Sequence, residues 1–276
     1  MSFSFDVIPE EHRCYVDGPA DDPSRPAVEC FFGVGKQDIK SSRSLRKIPA
    51  NATGFNFLMG SAHLDLFSAF CDSDLPASTQ LLSIGNTSCE RYDGVDYTEL
   101  TAVFLKHQWP KLERFELGEW HLLCNSGTAY GTVGCLDSLS VAAPNLRYLN
   151  LNGKIKLTSP LSLPHLKSLQ LCTSDTVDGT DGSQIDPETL LHLLSSSMPK
   201  LSELYVGLGD FFDREDESGP LFNLPQTFFH QDSFPDLMKL EITGRFRAEA
   251  KEALLQSPIS ARKDIALFLD DMYTQS

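Results

Sequence analysis

The sequence predicts an α/β protein built from a repeated strand, loop, helix, loop unit whose neighbours stack on a common core. Two observations carry this. The skeleton Pro-x-Leu-x-x-Leu-x-aliphatic recurs at Pro144/Leu146/Leu149/Leu151, Pro164/Leu166/Leu169/Leu171, Pro199/Leu201/Leu204/Val206 and Pro235/Leu237/Leu240/Ile242. With one aromatic exchange it also stands at Pro110/Leu112/Phe115/Leu117. Between the copies lie segments whose apolar residues recur at helical spacing.

Each part of the skeleton has a physical reason. Leu-x-Leu is the period-2 alternation of a strand with its apolar side chains on one face. The earlier Leu tucks the entering loop under the same core. Proline, with φ fixed and no donor, suits the residue just before a strand. One such unit cannot bury its apolar face alone, so the units must stack. Shorter copies precede the clear ones at Ala52/Phe55/Phe57 and Thr79/Leu82/Ile84, and a last one would place Arg262, Ile265 and Leu267 in the pattern.

The chain in order begins with residues 1–48, which carry no repeat and hold a turn-rich stretch from Asp17 to Pro23. They are expected to form an N-terminal cap, with Val28 to Val34 as a strand pairing with the first repeat strand. Residues 49–276 then form about eight irregular repeats, the whole making one structural domain. Helical stripes fall at Leu64/Phe67/Phe70/Cys71, at Leu100/Val103/Phe104/His107 and at Leu136/Leu139/Ala143. The clearest start is Asp186-Pro187-Glu188, with Asp as cap, Pro at the first helical position and Glu complementing the dipole. Ala248 to Leu255 is a further helix. Steps between Phe55, Leu82, Phe115, Leu149, Leu169, Leu204, Leu240 and Ile265 are 27, 33, 34, 20, 35, 36 and 25 residues. The step of 20 has no room for a full helix, so residues 152–162 should connect by a turn or extended segment. The end of the chain allows two readings, a last strand at 265–269 or a capping helix over 261–273.

Composition narrows the function. The 276 residues, 41% hydrophobic, suffice for a continuous core. A net charge of −15, from 23 basic and 38 acidic residues, argues against nucleic acid or an anionic membrane as partner and favours a protein, possibly a basic one. Seven cysteines, none in C-x-x-C spacing, fit a reduced, cytoplasmic chain. The first residues turn acidic too early for a signal peptide, and no apolar run approaches the ~18 residues of a membrane span.

On the motifs quoted, the chain resembles the leucine-rich-repeat superfamily, of the ribonuclease-inhibitor-like kind, over roughly residues 49–270. The resemblance implies a right-handed horseshoe arc with a parallel sheet on the concave face and helices on the convex face, and members commonly bind other proteins. The Asn/Cys expected three residues after the last apolar position is instead Trp120, Lys154, Ser174, Gly209 and Arg245. No polar ladder is therefore expected along that turn.

Alternation assigns the outward side chains of this face. They include Arg114, Glu116, Tyr148, Asn150, Asn152, Ser168, Gln170, Cys172, Glu203, Tyr205, Gly207, Lys239, Glu241 and Thr243, with Asn56, Leu58 and Ser83 upstream. Mixed charges, amides and two tyrosines suit a protein contact surface, because Tyr combines area with a polar tip. Two acidic loops add to it: Asp175, Asp178, Asp181 and Asp186 in one, Asp210, Asp213, Glu215, Asp216 and Glu217 in the other. On one rim they would steer a basic partner. Calcium is an alternative for carboxylates near a glycine, but Asp175-x-x-Asp178-x-x-Asp181-Gly182 lacks the EF-hand spacing and its closing glutamate.

Catalytic signatures in the sequence are weak. Gly33-Val34-Gly35-Lys36 lacks Walker A spacing, and Gly127, Gly131 and Gly134 read as loop. The seven histidines form no H-E-x-x-H. The expected function is non-catalytic protein binding without a cofactor or metal. An inhibitor or immunity protein masking a basic toxin or nuclease is an alternative, and an enzyme with an unrecognised site is another.

Overall fold

The computed structural model describes residues 13–16, 28–31, 53–58, 64–85, 96–118, 131–173, 185–208, 222–230, 234–262, 264–268 and 272–275. In chain order the elements are β1 (Arg13–Val16), β2 (Val28–Phe31), β3 (Gly54–Leu58), α1 (Leu64–Cys71), β4 (Leu81–Gly85), α2 (Thr98–Lys106), β5 (Arg114–Gly118) and β6 (Thr132–Cys135). They continue with α3 (Leu139–Ala142), β7 (Tyr148–Asn152), β8 (Lys154–Lys156), β9 (Ser168–Thr173), α4 (Pro187–Leu194) and β10 (Glu203–Leu208). The last are β11 (Lys239–Arg247), α5 (Ala248–Gln256), α6 (Pro258–Ala261), β12 (Ala266–Phe268) and β13 (Met272–Gln275).

Eight strands form one open parallel sheet in the order β3, β4, β5, β7, β9, β10, β11, β12, and β13 runs beside the far half of β11. Spatial order follows chain order across the sheet. Registry keeps motif positions level: Phe55, Leu82, Phe115, Leu149, Leu169, Leu204, Leu240 and Leu267 occupy one row.

A repeated local geometry explains the proline. The carbonyls of Trp109, Ala143, Leu163, Met198 and Phe234 accept bonds from the N–H groups of Leu112, Leu146, Leu166, Leu201 and Leu237 at 3.1 to 3.4 Å. Each proline is thus the second residue of a β-turn, where its fixed φ is already correct. The residue before it is apolar and buried in all five turns. After each turn, two successive N–H groups converge on one carbonyl of the preceding unit. Arg147 and Tyr148 donate to Glu113 at 2.7 and 2.9 Å, and Ser202 and Glu203 donate to Lys167 at 2.8 and 3.0 Å.

The Leu-x-Leu side chains meet the helices in one continuous core. Its chain-early half is aromatic: Phe57 packs edge-on against Phe67 at 5.3 Å, and Phe104 stacks on Phe115 at 4.3 Å. Trp109 stacks on Phe104 at 4.8 Å and donates its indole N–H to the Phe104 carbonyl at 2.9 Å. Around α4 the core is aliphatic, with Leu190, Leu193 and Leu194 buried, and rings return further along the chain, where Phe228 packs edge-on against Phe234 at 5.3 Å and Phe222 lies 6.0 Å from Phe246. Helix α4 begins as its sequence requires, Asp186 accepting from the Glu188 N–H at 2.9 Å with Pro187 at its first position. The short step between β7 and β9 holds no helix. Its residues form β8, which pairs with β6 in a separate two-stranded parallel sheet.

Several expectations are corrected. The strand at Val28–Phe31 does not join β3 but pairs antiparallel with β1 in its own two-stranded sheet. The rest of the proposed cap lies outside the described residues. Gly134 is part of strand β6, not loop. At the end of the chain the strand reading holds, as β12, and the helix reading does not, but Leu267 rather than Ile265 stands level with Leu240. The two-residue difference arises because both Ile265 and Leu267 fit an i, i+2 alternation, so periodicity alone cannot choose the register.

Candidate functional site

The core and helices occupy one face of the large sheet, so the alternate positions belong to the other. There the strands bring the sequence-assigned residues together in level rows. One row is Ser83, Glu116, Asn150, Gln170, Tyr205 and Glu241 across β4, β5, β7, β9, β10 and β11. A second, one pleat earlier, contains Arg114, Tyr148, Ser168, Glu203 and Lys239. A third, one pleat later, contains Gly118, Asn152, Cys172, Gly207 and Thr243.

The rows neutralise much of their own charge. Arg114 pairs with Glu116, and Lys239 with Glu241 at 3.3 Å. Both pairs are i, i+2 on one strand face, the spacing that places side chains in contact. Ser168 donates to the Glu203 carboxylate at 3.3 Å across the β9 to β10 step. Gly207 leaves room for Tyr205: a Cβ at 207 would stand 3.0 Å from the phenol oxygen. The ring therefore lies along its own strand, beside Cys172. Burial raises the Tyr205 phenol above its ordinary value, reinforced by Cys172 and Glu241. Burial also pushes the Cys172 thiol up to about 12, so it carries no thiolate near neutral pH and is no nucleophile.

Accessibility divides the assigned residues. Glu203 is exposed, while Arg114, Tyr148, Asn150, Tyr205, Lys239 and Glu241 are half-buried. Glu116, Asn152 and Gln170 lie on the expected face but are closed to solvent, at 2%, 0% and 5% exposure. Ser83 at 2% and Cys172 at 0% share this condition. Alternation thus sets the direction of a side chain, not what surrounds it. Asp213, Glu215, Asp216 and Glu217 of the acidic loop lie outside the described residues, as do Asp175, Asp178 and Asp181. Asp186 is the cap of α4.

Burial of these polar groups has an unusual consequence. Ser83 Oγ, Asn150 Oδ1, Gln170 Oε1 and both polar atoms of the Asn152 amide have neither solvent contact nor a hydrogen-bond partner. Each such group costs about 1–3 kcal/mol. Replacing Asn152 with Leu, of similar volume and without polar atoms, is accordingly expected to leave stability unchanged or raise it by about 1 kcal/mol. Urea denaturation checks this, and a marked loss would show that the amide is bonded in solution.

Trp109 escaped the sequence reading as a functional or packing anchor. Its signal was its place immediately before the motif proline, where the other four copies also carry an apolar residue. Among the described residues, no group of three or more His, Cys, Asp or Glu side chains is disposed to hold a metal ion, and no helix is long and apolar enough to cross a membrane.

No protein-family model matches the sequence, and no curated protein matches it. Among solved structures, the crystal structure of a protein from Bacteroides fragilis, determined as a structural-genomics target, superposes with a TM-score of 0.48 at 19% sequence identity. The match covers 84% of this chain and 61% of that one, so the present chain spans about three fifths of its length.

Proposed function

We propose that the chain is a leucine-rich-repeat solenoid acting as a non-catalytic recognition protein, which docks a protein partner on the sheet face opposite the helices. The observation carrying this reading is the level arrangement of mixed polar side chains and two tyrosines across consecutive parallel strands. Strand order that follows chain order, together with the recurring proline turn, supports the solenoid. Tyr148 and Tyr205 are the anchors, since half-buried aromatic rings lose little side-chain entropy on binding. Glu203, Lys239 and Glu241 border them. The net charge of −15 favours a basic partner and attracts it at long range, in a salt-dependent way. Masking a basic toxin or nuclease is the form of this reading with the most definite outcome.

The test uses the full-length chain as bait against lysate of its native cell. A partner retained at low salt should be lost from a Tyr148→Ala/Tyr205→Ala double variant, with affinity reduced about thirtyfold or more, and should bind less tightly as salt rises. A folded double variant that retains the same protein with undiminished affinity would place the docking surface elsewhere.

A further inference from the structure

The acids on this face are paired with cations, with one exception. Glu116 lies against Arg114, and Glu241 lies 3.3 Å from the Lys239 ammonium. Glu203 is the exposed carboxylate of the rows, and among the described residues no cation lies within ion-pair distance of it. Its register neighbour on β11, Lys239, is committed to Glu241. We infer that Glu203 and the Tyr148 ring together seat an arginine side chain of the partner. The inference rests on the reading of this face as the docking surface.

Register sets Tyr148, Ser168 and Glu203 side by side on β7, β9 and β10. Ser168 is the smallest side chain of that row, 9% exposed, and it donates to the Glu203 carboxylate at 3.3 Å. The bond holds the carboxylate over β9, on the side of Tyr148 and away from Lys239. Only a hydroxymethyl group therefore stands between ring and carboxylate, and both reach solvent, Tyr148 being half-buried and Glu203 exposed. Tyr148 and Glu203 are two strand spacings apart, about 9.6 Å. A group between them needs about 3.5–4 Å to the ring and about 2.8 Å to the carboxylate. What remains suits a flat group of a few atoms.

The chemistry selects a guanidinium. With one bond taken from Ser168, the Glu203 carboxylate still has acceptor positions for a pair of parallel donors. A guanidinium offers that pair in a fixed fork and lays its face or edge against an aromatic ring at the same time. An ammonium is a compact, strongly hydrated point charge and uses the carboxylate alone. A divalent metal ion asks for several ligands, and among the described residues no group of three His, Cys, Asp or Glu side chains is disposed to hold one. Attraction of a basic partner by the net charge is thereby given one fixed point of contact.

The experiment follows the full chain, labelled with carbon-13 in its tyrosine rings, by NMR at roughly 0.15 M salt, where charges more than about 8 Å away are screened. The Tyr148 signals are assigned from a Tyr148→Phe spectrum. The probes are Nα-acetylarginine N-methylamide, the matching lysine derivative, and the citrulline derivative, which keeps the shape of arginine without its charge. The arginine derivative is expected to move the Tyr148 signals saturably, and the other two to bind at least about fivefold more weakly. Glu203→Gln removes the charge from an exposed side chain and should weaken the arginine derivative by about fivefold, the upper end for an exposed charge pair. No movement at Tyr148, equal binding of the citrulline derivative, or unchanged binding by Glu203→Gln overturns the inference. The Tyr148→Ala/Tyr205→Ala experiment decides the docking surface separately. Loss of the partner there, with arginine binding indifferent to Glu203→Gln, leaves the surface standing and removes this seat; a partner retained there, with the seat behaving as expected, removes the docking reading instead.

Discussion

Gly118→Ala is expected to destabilise the protein by at least about 3 kcal/mol, enough to prevent folding if the native chain is marginally stable. Gly118 ends β5 with φ +120°, a conformation that L side chains rarely adopt. An added Cβ would stand 1.8 Å from the Asn152 carbonyl oxygen and 2.9 Å from the Asn152 Cβ. Neither neighbour can retreat cheaply, because β5 and β7 are in register through Gly118 and Asn152. Gly207→Ala is the matched comparison. Its added carbon meets only the Tyr205 ring, which can turn away, so the loss should stay within about 1 kcal/mol. Urea denaturation of the two variants distinguishes them, and equal midpoints would show that the end of β5 is free to rearrange.

The second large effect concerns the aromatic half of the core. Phe70 lies on α1 with its ring centroid 4.9 Å from Phe55, 4.9 Å from Phe57, 6.2 Å from Phe67 and 6.1 Å from Trp109. Phe70→Ala should cost about 3–5 kcal/mol, through lost transfer energy and the cavity left among rigid rings. The high end is expected, since edge-to-face and stacked contacts add to burial. Phe70→Leu keeps most of the volume and should cost about 1.5 kcal/mol. Thermal or urea unfolding measures both. An alanine variant as stable as wild type would mean that α1 contributes little to holding β3 and β4 together.

These two sites also show what can be read without coordinates. Phe70 was legible, because Leu64, Phe67, Phe70 and Cys71 keep helical spacing and a helix of that pattern buries one stripe. Gly118 was not: nothing in Leu-Gly-Glu tells that a carbonyl from the next unit approaches the missing side chain. The register at β12 and the hairpin of β1 and β2 were also beyond reach, since each depends on which strand lies alongside.

The candidate site divides the same way. Period-2 alternation named Arg114, Glu116, Tyr148, Asn150, Asn152, Gln170, Glu203, Tyr205, Lys239 and Glu241 as one face, and strand registry brings them into level rows. It could not separate Glu203, which meets solvent, from Asn152, which does not. What the amino-acid order determined by itself was local: where each turn bends, which residues alternate and which faces must be buried, because those follow from bond geometry and hydrophobicity over a few residues. What the tertiary structure alone decided was proximity across units, including the ion pairs' surroundings, the contact at Gly118 and the unpaired amides. Such contacts depend on how distant segments close around one another, and no short stretch of chain encodes that.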